Sequence, residues 1–180
     1  MSEEILIVDD NADIRNIINE LIIDAGYKTR LAANYNQALA EIDKKLPDVA
    51  ILDVKLDKGD NDGIELLSHI KSKNKDTPVI IISGHANIEM AVKSLQHGAF
   101  EFIEKPFDQE RLLNFVKRAV ENFNLKNDIK DILNPYFTTK KNGTGLGLSI
   151  VSKIINDHNG KIDFIPIKNG AKINITFLKQ

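Results

Sequence analysis

The chain has 180 residues, a net charge of −2, 42% hydrophobic residues and 28% charged residues, the balance of a globular protein with enough apolar material for a core. It has no cysteine, which excludes a disulfide scaffold and cysteine-based metal or nucleophile chemistry, and its near-neutral charge argues against a nucleic-acid module. It opens Met-Ser-Glu-Glu, and no stretch nears the roughly 20 apolar residues of a membrane helix. A soluble, cytoplasmic chain without a membrane partner is therefore expected.

The apolar pattern alternates between two periods from the start. Residues 4–8 form a short apolar run that stops at Asp9-Asp10, which suits a strand buried on both faces. Ile14, Ile17, Ile18, Leu21 and Ile22 then fall at helical spacing, and Gly26 suits the end of that helix. A second strand is expected over 27–32, a helix over 36–46 closed by Pro47, and a third strand over 49–52 ending at Asp53. The series continues with a helix over 63–73, a strand over 79–82 ending at Ser83, and a helix over 87–97 followed by Gly98. A fifth strand over 100–103 ends at Glu104-Lys105-Pro106, and Asp108 caps a fifth helix. Five strands alternating with five helices imply a doubly wound α/β fold with a parallel sheet.

The remainder reads differently. Residues 1–121 carry a net charge of −7 and residues 122–180 a net of +5, an asymmetry that suggests two pieces of different origin. Residues 122–134 read as a helical linker. Residues 135–180 read as a small α+β fragment. It consists of a glycine-rich stretch (Gly143, Gly145, Gly147), one helix ending at Gly160, and strands over 161–167 and 171–178. Asn169-Gly170 between those strands is a hairpin signal.

Functional residues of an open parallel sheet lie at the carboxyl ends of its strands. Here those ends carry Asp9, Asp10, Asp53, Ser83 and Lys105. In the strand order 2-1-3-4-5 they would converge on one crevice. Crowded carboxylates repel unless a cation joins them, and Mg²⁺ suits two or three carboxylates plus a phosphate. An ammonium and a hydroxyl beside them could offset the charge of a phosphoryl group. The set points to phosphoryl transfer onto an aspartate acting as nucleophile.

Ile-Leu-Ile-Val-Asp-Asp (5–10), Val-Ala-Ile-Leu-Asp (49–53), Ile-Ile-Ile-Ser-Gly (80–84) and Gly-Ala-Phe-Glu-Phe-Ile-Glu-Lys-Pro-Phe (98–107) resemble the receiver domain of two-component response regulators. Residues 83–92 and the lengthened loop Lys55–Gly63 are similar to the nitrogen-regulation, NtrX type. The resemblance covers residues 1–121 and implies a flavodoxin-like receiver. In it Asp53 would accept a phosphoryl group from the phosphohistidine of a sensor histidine kinase and later lose it by self-catalysed hydrolysis. It implies Mg²⁺ held by Asp10, Asp53 and the Lys55 backbone carbonyl, with Asp9 acting through water. Lys105 would pair with the phosphoryl oxygens, and Ser83 and Phe102 would act as switch residues. Lys55 and His85 would tune dephosphorylation, and the Lys105-Pro106 peptide would be cis. Separately, the fifth helix flowing into an apolar linker leads us to expect a homodimer.

Residues 135–180 resemble the end of a histidine-kinase ATP-binding domain, nearest the NtrY type. Pro135–Lys140 is similar to its F box and Gly143–Ile150 to its G2 box. The Asn-bearing helix and the Asp-x-Gly segment of that site have no counterpart between residues 121 and 135. Gly143, Gly145 and Gly147 therefore read as a vestigial nucleotide loop. ATP binding and a complete kinase activity are not expected, nor is direct DNA binding. The leading reading is a response regulator that signals through protein contacts or dimerisation. The alternative is an ATP-binding, kinase-related protein built on the glycine-rich loop.

Overall fold

The apolar runs over 5–8, 49–52 and 79–82 put apolar side chains on both sides of a strand, so each must be buried on both faces. In the computed structural model, which describes residues 3–84, 88–133, 147–167 and 170–177, that requirement is met by a parallel sheet sandwiched between helices. The strands are β1 (Glu4–Val8), β2 (Lys28–Ala32), β3 (Val49–Asp53), β4 (Val79–Ser83) and β5 (Glu101–Glu104), in the order β2-β1-β3-β4-β5. Between and after them run α1 (Ala12–Asp24), α2 (Tyr35–Lys44), α3 (Asp62–Lys73), α4 (Ile88–Gln96) and α5 (Gln109–Leu133).

Leu6, Val8, Ala50, Leu52 and Ile81 pack on one face with Ala38 and Ile42 of α2 and Leu66, Leu67 and Ile70 of α3. Ile5, Ile7, Ile51, Ile80 and Ile82 pack on the other with Ile18 and Ile22 of α1 and Leu112 and Val116 of α5. Burying one such side chain is worth about 1.5–3 kcal/mol, so both faces help fix strand register. The pairings Val8↔Leu52 and Asp53↔Ile82 then bring the carboxyl ends of β1, β3 and β4 level.

Local signals set the helix ends. The Asn11 side chain accepts from the amides of Asp13 and Ile14 and caps α1. Asp108 accepts from the Arg111 amide at the start of α5, as expected. Gly26 and Gly98 take φ of +91° and +88°, a region that side chains with a Cβ avoid. α5 continues as a single helix to Leu133, through the stretch read as a helical linker.

The chain divides into two compact units, Met1–Phe123 and Asn124–Gln180. In the second, α6 (Gly147–Asp157) precedes an antiparallel pair, β6 (Gly160–Ile167) and β7 (Gly170–Phe177). Two details differ from the sequence reading. The left-handed residue after α6 is Asn159, at φ +54°. Gly160 instead opens β6, where a Cβ would press on Ile155 and Phe177. Gly170 pairs with Ile167 and so belongs to β7 rather than to the turn between the strands. Ile155 is buried, whereas Ile150, Val151, Ile154, Ile173, Ile175 and Phe177 are exposed. Residues 135–146, with Gly143, Gly145 and the segment similar to an F box, lie outside the described residues; Gly147 is the first residue of α6.

Gly63, in the first turn of α3, donates to the Val54 carbonyl at 2.9 Å. A Cβ there would collide with the Asp53 carbonyl. Backbone on both sides of that contact leaves no flexible side chain to move away. Gly63→Ala should therefore lower stability by about 1–3 kcal/mol, read as a loss of several degrees in melting temperature; an unchanged melting temperature would contradict the contact.

Candidate functional site

Four strand ends build the site. Asp9 follows β1, Asp53 is the last residue of β3, Ser83 is the last of β4, and Lys105 follows β5. A parallel ladder aims all four ends the same way, which is why residues up to 96 positions apart meet. Lys105 Nζ donates to Asp9 Oδ2 at 2.7 Å and to Asp53 Oδ2 at 2.5 Å. Asp9 and Asp53 are 1% and 6% exposed. A buried carboxylate is costly without a partner, and here two carboxylates share one ammonium.

That sharing sets the protonation preferences. Burial, the largest influence, pushes the Asp53 carboxyl above its usual range; the hydrogen bond and charge of Lys105 pull it down without cancelling the rise, and the charge of Asp9 adds to it. Burial pulls the Lys105 ammonium down, but its hydrogen bonds to Asp53 and Asp9, with their charges, raise it on balance.

Asp10 stands exposed beside this pair. Asp9, Asp10 and Asp53 each offer a ligand atom within 4.8 Å of the others. With Lys105 counted, the cluster carries two net negative charges, and its donors are hard oxygens. A small divalent cation such as Mg²⁺ fits this set.

Neighbours hold the carboxylates in place. The Asn11 amide donates to Asp9 Oδ1 at 2.9 Å, and Arg15 Nη1 donates to the Asp9 carbonyl at 2.6 Å. The Lys55 amide lies 3.3 Å from Asp53 Oδ1, which puts the Lys55 main chain beside the carboxylate. The Lys55 side chain is exposed and pairs with Asp60 at 2.9 Å. Ser83 is buried, its hydroxyl 3.7 Å from Met90 Sδ. Its carbonyl accepts from the Lys105 amide at 2.8 Å, and the Lys105-Pro106 peptide is cis. Phe102 is half-buried and packs against the layer that includes Met90 and Ala99. His85 lies outside the described residues.

The sequence reading did not single out three residues of this neighbourhood. Asn11 carries a readable signal, an Asn just before a helical pattern. Arg15 carries none, since its target is a main-chain carbonyl six residues away. Asp62 is 2% exposed and accepts from the amides of Lys58 and Gly59, both at 2.9 Å. It shows only as an acidic residue in a first helical turn.

Residues 5–117 match the family model described as the response regulator receiver domain. The chain belongs to the response regulator receiver family. The nitrogen assimilation regulatory protein NtrX of Azorhizobium caulinodans is 42% identical over 132 residues, which is 73% of this chain and 29% of that protein. This receiver chain thus spans under a third of that curated relative's length. The crystal structure of the receiver domain of NtrX from Brucella abortus is similar at a TM-score of 0.61 and 44% identity, covering 65% of this chain and 98% of that one. The solution structure of the beryllofluoride-activated NtrC4 receiver domain dimer is similar at 0.62 and 35%, covering 67% and 98%. Among the described residues, no helix is long and apolar enough to cross a membrane.

The raised Asp53 carboxyl has a stability consequence. Its charged form is disfavoured in the folded state, so Asp53 costs stability above its folded pKa and costs nothing below its unfolded value. Asp53→Asn should therefore raise the melting temperature by a few degrees at neutral pH without metal. The gain should shrink as pH falls through the carboxylate range, and Mg²⁺ should stabilise the wild type more than the variant. Thermal melts across pH, with and without Mg²⁺, check all three; a destabilised variant at neutral pH would contradict the argument.

Proposed function

We propose that this receiver is a phosphoryl acceptor of a two-component phosphorelay, with Asp53 as the site of phosphorylation. The observation that carries it is the Lys105 ammonium bridging Asp9 and Asp53 while Asp10 completes a three-carboxylate cluster. An Asp53 oxygen attacks the phosphorus of an N-phosphohistidine on a sensor histidine kinase. A P–O bond forms as the P–N bond breaks, and the electron pair returns to the imidazole. Bound by Asp10, Asp53 and the Lys55 carbonyl, with Asp9 through water, Mg²⁺ would supply charge neutralisation at the transferring group. Lys105 loses half its anionic partners as Asp53 becomes an acyl phosphate, and it turns to the phosphoryl oxygens instead. Water later hydrolyses the acyl phosphate, at a rate set in part by Lys55 and His85.

An apolar pocket of about 200 Å³ beside the site, lined by Ile14, Ile17, Lys105, Pro106, Phe107 and Gln109, supports approach of a partner carrying the phosphohistidine. Output runs through Ser83 and Phe102. Phosphate biases an existing two-state equilibrium by the contacts it makes in one state. The readout is a protein contact or homodimerisation, in the cytoplasm and without direct DNA binding by the receiver. For residues 135–180 we keep the reading of a kinase-derived fragment, because a helix followed by an antiparallel pair is the order that resemblance requires. An ATP-binding function built on Gly143, Gly145 and Gly147 is not favoured.

Incubation with a phosphorylated sensor kinase domain, or with acetyl phosphate, tests this. The expected product is an acyl phosphate cleaved by hydroxylamine, absent in Asp53→Asn and after chelation of Mg²⁺. Labelling that survives Asp53→Asn would overturn the assignment. In the same assay Lys55→Ala and His85→Ala should each change the decay rate several-fold. Light scattering with Mg²⁺ and beryllium fluoride should show the mass doubling if dimerisation is the output; an unchanged monomer mass would rule that route out.

A further inference from the structure

Between Asp53 and Asp62 the chain makes an eight-residue loop, Val54–Asn61, longer than most strand-to-helix connections, which run to about 2–6 residues. It carries Lys55, whose main chain lies against the Asp53 carboxylate. Something must fix this loop, and the structure offers several ties of unequal strength. Lys55 pairs with Asp60 at 2.9 Å, but their side chains are 68% and 78% exposed. Lys58 pairs with Glu65 at 3.5 Å, with both again more than half exposed. Exposed pairs of this kind contribute about 0–1 kcal/mol. Asp57 accepts from the Tyr35 amide at 2.9 Å, and Lys58 sits 4.1 Å above the Tyr35 ring, both at the surface.

Asp62 differs in kind. Its carboxylate is 2% exposed, and one oxygen, Oδ2, accepts from two consecutive loop amides, Lys58 and Gly59. A buried carboxylate so bonded cannot let go cheaply, because an unpaired charge in that place costs several kcal/mol. It also stands in the first turn of α3, where negative charge is favoured by the helix dipole. The next residue, Gly63, lies against the Asp53 carbonyl. Asp62 thus ties the far end of the loop to the same helix start that presses on the phosphoacceptor strand.

We propose that Asp62 is a positioning residue for the phosphoacceptor site, the buried anchor that holds the β3–α3 loop, and with it the Lys55 main chain, in the geometry that accepts Mg²⁺. The proposal rests on the phosphoacceptor reading. It concerns the binding of the metal and the lifetime of the phosphoryl group, since Asp62 itself touches neither Asp53 nor Lys105 in the contacts described.

The test is a calorimetric Mg²⁺ titration of the metal-free full chain, with a thermal melt on every sample. Asp62→Ala removes the acceptor and should weaken Mg²⁺ binding by about tenfold, in line with the effect of removing groups that orient ligands from behind. Asp62→Asn keeps an oxygen that can accept both amides and should restore affinity to within about threefold of wild type. A role in stability alone would move the melting temperature and leave the affinity where it was. A folded Asp62→Ala chain that binds Mg²⁺ like the wild type would overturn the proposal, as would Asp62→Asn binding as poorly as Asp62→Ala. Should Asp62→Ala not fold, Gly59→Pro deletes one of the two amide donors and leaves Asp62 in place. It should weaken Mg²⁺ binding measurably, and unchanged affinity there overturns the proposal equally. A wild-type chain that takes up no Mg²⁺ sinks the phosphoacceptor reading and this proposal together, whereas normal wild-type binding with indifferent variants sinks this proposal alone.

Discussion

One ammonium held between two buried carboxylates is the constraint on which the site depends. Lys105 reaches Asp9 across 96 residues of sequence and Asp53 across 52. Without it, two carboxylates at 1% and 6% exposure would lose the cation they share, and a buried carboxylate without a partner is costly. The arrangement is also unfinished in charge, with two anions facing one cation and Asp10 close by. Burial raises the Asp53 carboxyl, and the excess of carboxylates over ammonium makes the cluster receptive to a divalent ion. The sheet serves this arrangement by levelling the ends of β1, β3, β4 and β5.

Most of this was legible in the sequence because it is written in residues that must be apolar or must be charged. Strands β1, β3 and β4 appear as short apolar runs, and burial on both faces leaves those runs without alternation. The site residues appear because each run stops at an ionisable or hydroxylic side chain. What the sequence hides are residues whose partners are main-chain atoms brought near by folding. Arg15 donates to a carbonyl, and Asp62 accepts from amides that reach it only when the loop doubles back. No periodicity or spacing records such a partner. The misplaced details in the second unit have a similar cause. Asn159 and Gly160 are both tolerant of a left-handed backbone, and the pattern does not say that Asn159 turns while Gly160 is kept small by Ile155 and Phe177 beside it.

The two units also differ in how completely they cover themselves. The first buries whole strands between helices. In the second, Ile162 and Phe164 of β6 face Ile175 and Ile173 of β7, yet the β7 side chains remain about half exposed. A two-stranded pair with one helix is marginal by itself. Its net charge is also opposite in sign to that of the first.

The sheet order has a consequence for synthesis. Read from the amino end, every strand after β1 is made after a neighbour it will pair with: β2 joins β1, β3 joins the other edge of β1, β4 joins β3, and β5 joins β4. A chain emerging from the ribosome can therefore add strands one at a time without leaving a gap. The counter-ion arrives last. Until β5 pairs with β4, Asp9 and Asp53 lack the ammonium that they share in the finished sheet.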